Sequence, residues 1–159
     1  MGESTQAKAD IIPYAGDHST RVRSWIDSAG TYEALCRGIE FPPPPDIVDS
    51  WQRAGVRAYL LTAHNQPVAY AELVTRQHEQ ALEIGHLLVD PRQRSRGYGT
   101  RMLQLLYERA ATTPGVARVL LNLYHQDPEA LGCFLKAGFE IVGTASHVEG
   151  LRMMRIVKK

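Results

Sequence analysis

The stretch from Leu87 to Arg109, Leu-Leu-Val-Asp-Pro-Arg-Gln-Arg-Ser-Arg-Gly-Tyr-Gly-Thr-Arg-Met-Leu-Gln-Leu-Leu-Tyr-Glu-Arg, constrains the fold more than any other. An apolar strand runs into a basic loop with two glycines, and the loop runs straight into an amphipathic helix. Met102, Leu103, Leu105, Leu106 and Ala110 recur at helical spacing, and Thr112-Thr-Pro-Gly115 stops the pattern. In such a connection the free N–H groups of the first helical turn face the loop, and the helix dipole favours negative charge there. Gly97 and Gly99 remove side chains where a phosphate must touch backbone, and Arg92, Arg94, Arg96 and Arg101 add positive charge.

Two phosphate loops are excluded by spacing. A dinucleotide loop needs a third glycine three residues after the second, where Met102 stands. A P-loop ends Gly-Lys-Ser/Thr, and Gly99-Thr100-Arg101 does not. What remains, Arg94-Ser95-Arg96-Gly97-Tyr98-Gly99, resembles the (Gln/Arg)-x-x-Gly-x-(Gly/Ala) signature of the GNAT N-acetyltransferase superfamily. Ile84-Gly-His-Leu-Leu-Val89-Asp-Pro before it resembles that family's fourth strand. The resemblance implies that Arg94 to Thr100 cradle the pyrophosphate of acetyl-CoA. It also implies that the pantetheine arm pairs like an added strand against Leu87, Leu88 and Val89.

Composition sets broad limits. The chain has 159 residues, 44% of them hydrophobic, which suits one globular domain. A formal net charge of +1 gives no global argument for nucleic acid. No apolar run reaches the ~20 residues of a membrane span, and the N-terminus has no hydrophobic signal region. Cys36 and Cys133 do not make a disulfide framework, so a cytoplasmic location with reduced thiols is the expectation. The six histidines show no metal-ligand spacing, so no metal is expected.

Along the chain, residues 1–8 read as disordered and residues 9–159 as one domain. Asp10–Tyr14 reads as a strand, and Asp17 as the cap of a helix over about 18–28. Tyr32–Arg37 and Ile47–Ala54 read as short helices flanking an extended proline segment, Phe41–Asp46. Val56–His64 and Val68–Thr75 read as strands joined by a turn at Asn65-Gln-Pro, followed by a turn over Arg76–Gln80 and a strand over Ala81–Val89. Beyond the glycine loop and its helix come a strand at Ala117–Tyr124 and a helix from Asp127-Pro128 to Gly138. Phe139–His147 and Leu151–Val157 complete the strands. The order β-α-α-β-β-β-α-β-α-β-β gives an α/β fold with a mixed sheet. It matches the resembling family, whose central sheet is mostly antiparallel and flanked by helices.

A second family segment runs Asp127-Pro-Glu-Ala130-Leu-Gly-Cys133-Phe134-Leu-Lys-Ala-Gly138-Phe139. Its spacing matches the family's Asn-x-x-Ala-x-x-x-Tyr-x-x-x-Gly-Phe, but two identities depart. Asp127 replaces an asparagine that contacts the cofactor or the helix start, and it also fits an N-cap. Phe134 replaces the tyrosine that protonates the departing thiolate, and phenylalanine has no proton to give. Cys133 reads as a core residue. Tyr124 and Tyr98 are the substitute donors.

Acetylation of an amine needs a group to take its proton, because an ordinary lysine amine titrates near ~10.4. Glu83, inside an apolar strand, is the first candidate. Glu72 on the preceding strand is the rival, nearly opposite it if the hairpin folds about His78. His64 and His86 could also serve, though each reads more readily as a turn or sheet residue. Trp25, Tyr32, Phe41 and Trp51 could line an acceptor slot or fill the core. The expected partners are acetyl-CoA and an amine, with neither nucleic acid nor membrane and with a homodimer left open. Two alternatives stand beside N-acetyl transfer: an acyl-CoA-binding module without turnover, prompted by Phe134, and transfer of a longer acyl group.

Overall fold

Two residues in left-handed backbone, His64 (φ 52°) and Asn65 (φ 62°), reverse the chain between β2 (Val56–Ala63) and β3 (Gln66–Arg76). The computed structural model describes residues 9–36, 40–123, 128–144 and 150–157; the expected disorder of residues 1–8 lies outside them. The reversal falls earlier than the Asn65-Gln-Pro expected from the sequence, because Gln66 and Pro67 already pair with Ala63 and Thr62. A 3-10 turn at Gln77–Glu79, ended by Gln80 in left-handed backbone, leads into β4 (Ala81–Val89).

β1 (Asp10–Pro13) joins β2, and these four strands form one antiparallel block. Helix α4 (Tyr98–Ala111) then crosses over to β5 (Arg118–Leu123), which pairs parallel with β4. Helix α5 (Pro128–Lys136) precedes β6 (Glu140–Thr144) and β7 (Leu151–Ile156), which continue antiparallel. The seven-stranded order is β1-β2-β3-β4-β5-β7-β6, a mixed and mostly antiparallel sheet. Gly138 (φ 90°) ends α5 as expected, and the Phe139 N–H returns to the Phe134 carbonyl at 3.1 Å.

Strand alternation gives the sheet two apolar faces. Leu61, Ala69, Leu73, Ile84, Leu121 and Met153 pack with Met102, Leu103 and Leu106 of α4 and with Phe134 and Phe139. On the other face Leu60, Tyr70 and Leu88 pack with Val22, Trp25, Tyr32, Val48 and Trp51. These come from α1 (Ser19–Ser24), α2 (Ala29–Cys36), α3 (Ile47–Ser50) and the residues after them.

On this second face α1 and α3 are shorter than their sequence pattern suggests, whereas α2 begins before the expected Tyr32, at Ala29. Asp17 lies within a 3-10 turn, Gly16–His18, and no side chain caps α1. Bonds from the Trp25 and Ile26 N–H groups to Val22 and Arg23 tighten the last turn and bring both side chains into the core. The same tightening at Trp51 and Gln52 ends α3 before Ala54. The proline segment forms neither helix nor strand, and the Arg23 guanidinium donates to the carbonyls of Pro43 and Pro44. Trp25, Tyr32 and Trp51 are therefore core aromatics rather than slot-lining ones, and Phe41 is exposed.

Candidate active site

The ladder between β4 and β5 runs over only four pairs, Ala81–Arg118 to Ile84–Leu121. Just beyond Ile84, β4 carries an extra residue. Tyr70 of β3 pairs with Leu88 and Glu72 pairs with Gly85, so three steps on β4 oppose two on β3. His86 takes the positive φ of this bulge, 48°. A cleft of about 680 Å³ opens where the ladder ends, lined by Leu87, Leu88 and Val89 on one side and Leu121, Asn122 and Leu123 on the other.

One end of the cleft is made of backbone. Asp90 accepts from the Arg92 N–H at 3.0 Å and Pro91 follows, which fixes the exit from β4. Ser95 (φ 64°) and Gly97 (φ 81°) bend the loop into α4. The first intrahelical bond runs from the Arg101 N–H to the Gly97 carbonyl, so the N–H groups of Tyr98, Gly99 and Thr100 precede the ladder of α4. A Cβ on Gly99 would lie 3.4 Å from Cys133 Sγ and 3.8 Å from Val89, so glycine keeps a narrow channel open there. Donors at a helix start, a cleared backbone and two diverging strands fit a pyrophosphate with an extended arm.

Arg94, Ser95, Gly97, Tyr98 and Gly99 all line the cleft. Arg94 also reaches Asp27 at 3.4 Å. Arg96 and Thr100 are not on the lining; the Thr100 hydroxyl lies 3.1 Å from Cys133 Sγ. Two of the four arginines serve elsewhere. Arg92 pairs with Asp90, and Arg101 donates to the Ala9 carbonyl at 3.2 Å. The Tyr98 ring is buried under α4, and its hydroxyl has no partner among the described residues.

Helix α5 presents Glu129, Ala130, Cys133 and Phe134 to the cleft. Cys133 is therefore half-buried on the cleft wall rather than in the core, and burial pushes its thiol above the ordinary range. Phe134 faces both the cleft and the core beneath α4. Tyr124 and Asp127 lie outside the described residues.

The other end is made of side chains. Glu72 and Glu83 share one sheet face, although they are not opposite each other: Glu72 pairs with Gly85 and Glu83 with Val74. The turn sets this register: every pair from Arg76–Ala81 to Glu72–Gly85 is in step, one residue off a hairpin folded about His78, and the bulge lies beyond both carboxylates. Glu72 is buried at 2% exposure. Its carboxylate accepts from the Tyr70 hydroxyl at 2.5 Å, and its other oxygen lies 2.8 Å from His86 Nδ1. Gln52 donates to the Tyr70 oxygen at 2.9 Å. Burial, followed by the neighbouring carboxylate, pushes the Tyr70 hydroxyl far above its ordinary value, so it stays a donor. The His86 ring stacks on Trp51 at 4.0 Å with planes 11° apart. Glu83 also lines the cleft, with Arg76 spanning both its oxygens at 3.3 and 3.4 Å.

Gly85 makes room for this arrangement, since a Cβ there would stand 3.3 Å from Glu72 Oε1. A glycine inside a strand pattern marks a bulge or a close approach, and Gly85-His86 is both. That signal is present in the sequence, whereas the stacking on Trp51 and the link to Gln52 are not.

The family model for the acetyltransferase (GNAT) family matches residues 23–139. No curated protein matches the chain by sequence. Several solved structures share the fold. Aminoglycoside acetyltransferase AAC(6')-Ib, in complex with coenzyme A and kanamycin, has a TM-score of 0.77 at 18% identity, covering 93% of this chain and 94% of that one. Spermidine N-acetyltransferase from Vibrio cholerae, with CoA and spermine, has a TM-score of 0.78 at 10% identity, covering 95% and 96%. An acetyltransferase from Thermus thermophilus has a TM-score of 0.72 at 23% identity, covering 94% and 97%.

Proposed function

The chain belongs to the acetyltransferase (GNAT) family, and on that premise we propose that it transfers the acetyl group of acetyl-CoA to a primary amine by direct attack in a ternary complex. The observation that carries this reading is the cleft itself. It joins a helix start made for phosphates to a wall holding two carboxylates, with diverging strands between them. The amine complexes of the fold relatives support an amine as acceptor class.

In this reading the pyrophosphate rests on the N–H groups from Arg94 to Thr100, with Arg94 as the side-chain cation. The pantetheine arm runs along Leu87 to Val89, offering its amides to the strand edge that β5 leaves. Leu88 contributes backbone only, because its side chain is buried in the second core. The thioester then lies near Phe134 and Cys133. The amine gives up a proton toward the wall that holds Glu83, Glu72 and His86, and its lone pair attacks the acetyl carbon. The C–S bond breaks with its electron pair on sulfur. Thiolate is a tolerable leaving group, since a thiol titrates near ~8.5, so Phe134 is compatible with turnover. Tyr124 is the proposed donor to the sulfur, and Asp127 the proposed cap of α5.

Incubation with acetyl-CoA and a panel of amines, reading free thiol, tests the proposal. Thiol release that saturates with one amine is the expected result. Saturable acetyl-CoA binding with no thiol release on any amine supports the second reading, a binding module, which the hydroxyl-free Phe134 favours. Among the described residues no cluster of three His, Cys, Asp or Glu side chains is placed to hold a metal, and no helix is long and apolar enough to cross a membrane.

A further inference from the structure

His86 stands at the acceptor end with one ring nitrogen engaged and one not. Nδ1 lies 2.8 Å from Glu72 Oε1, so a neutral ring donates its Nδ1–H to the carboxylate and keeps its lone pair on Nε2. Nε2 has no hydrogen-bond partner among the described residues, and His86 lines the cleft with 23% of its side chain exposed. Without the bulge, alternation would send residue 86 to the opposite face with Leu82 and Ile84. The extra residue turns it onto the face of Glu72, at the cost of positive φ in a residue other than glycine. Trp51 then fixes the ring plane, and Tyr70 with Gln52 fixes the carboxylate.

We infer that His86 is the group that takes the acceptor's proton, and that Glu72 and Trp51 are its positioning residues; this rests on acetyl transfer to an amine as the reaction. The acceptor ammonium gives one proton to Nε2, and the imidazolium so formed is balanced by the Glu72 carboxylate. The freed lone pair forms the C–N bond, and the C–S bond breaks onto sulfur. The second N–H proton leaves as the intermediate collapses and ends on the thiolate. Water at the exposed ring edge resets His86. Among the described residues, the other charged groups lining this side of the cleft are Glu83, paired with Arg76, and Arg53. Glu83 has both oxygens occupied by Arg76, so it is the less available acceptor.

The test measures thiol release from acetyl-CoA with spermine, kanamycin and benzylamine across a pH series, in wild type, His86→Gly, Glu72→Gln, Glu83→Gln and Trp51→Phe. Glycine suits the backbone at position 86, and thermal unfolding with acetyl-CoA titration verifies that each variant folds and binds. His86→Gly is expected to lose on the order of 10²-fold in kcat or more, and added imidazole to restore part of it. Glu72→Gln is expected to move the rising limb of the pH–rate profile toward acid, because the imidazolium loses its anion. Glu83→Gln should leave that limb in place, and Trp51→Phe should retain most activity because a flat ring still supports the imidazole. Wild-type activity retained in His86→Gly, or a loss that imidazole does not restore, overturns the inference while leaving acetyl transfer intact. No thiol release by wild type on all three amines overturns the transfer reading and the inference together.

Discussion

The two ends of the cleft are built by different means. The proposed phosphate end is consecutive backbone, Asp90 to Thr100 within one strand-to-helix connection. The proposed acceptor end is side chains from three places, Trp51 and Gln52 after α3, Tyr70 and Glu72 on β3, and His86 on β4. Backbone donors tolerate many side chains provided that the glycines remain. A side-chain network depends on the identity of each member and on the register that brings them together.

The sharpest way to break this contrast is at Gly97. Valine there needs a left-handed backbone that costs ~1–2 kcal/mol before any phosphate is met, and its branches crowd the helix start. Acetyl-CoA affinity measured by calorimetry is expected to fall by about 100-fold or more, a loss of roughly 2.7 kcal/mol. Gly99→Ala, whose Cβ meets its neighbours at 3.4 and 3.8 Å, should keep most of the affinity, whereas Gly99→Val should not. Affinity retained in Gly97→Val removes the loop from the cofactor site.

Glu83→Gln tests the other end. Turnover at neutral pH is expected to fall by no more than roughly tenfold, short of the ~10²-fold or more for a missing acid–base group, with acetyl-CoA affinity unchanged. A parallel loss of cofactor affinity would show that the ends are not separable. A subtler probe is Gly85→Ala, which places a methyl 3.3 Å from Glu72 Oε1 and must displace that carboxylate. A several-fold drop in kcat with unchanged acetyl-CoA binding is expected, and full activity would mean that the Glu72 position is not critical.

Phe134→Tyr asks whether the cleft accepts a proton donor where the family usually has one. Equal or modestly higher activity is expected, and a large loss would show that the packing there has no room for a hydroxyl. The smallest effect concerns Cys133. Its raised pKa favours the protonated thiol, so thiolate, the reactive form, becomes abundant only above the ordinary ~8.5. Iodoacetamide labelling of Cys133 should therefore be slow at neutral pH, quicken only at alkaline pH, and slow further with acetyl-CoA present. Fast labelling at neutral pH would mean that the channel beside Gly99 is more open than its contacts imply.

The contrast also explains how much of the molecule is legible from sequence. Strand β4, helix α4 and the stop at Gly138 follow from local rules, because apolar spacing, a glycine loop and a left-handed C-terminal residue act within a few positions. The sequence pattern overextends helix α1, because the spacing of Val22, Trp25 and Ile26 persists through a tightened last turn that is no longer α-helical. At the acceptor end the obstacle is register. One inserted residue just beyond Gly85 moves His86 across the sheet, while the turn at Gln77–Gln80 fixes the offset of Glu72 from Glu83, and alternation alone assigns neither.

The short seam between β4 and β5 also bears on how the chain assembles. Hairpins β2–β3 and β3–β4 close loops of a few residues, so their entropy cost is small. The seam must wait for α4 to form and fold back, and it then gains only four ladder pairs. Long-range parallel pairing of this kind is slow relative to local hairpins. The antiparallel block β1 to β4 is therefore expected to gain amide-exchange protection first during refolding, and the β4–β5 amides last. The opening proposed to admit a long, thin cosubstrate is thus also expected to be the last join to close as the protein folds.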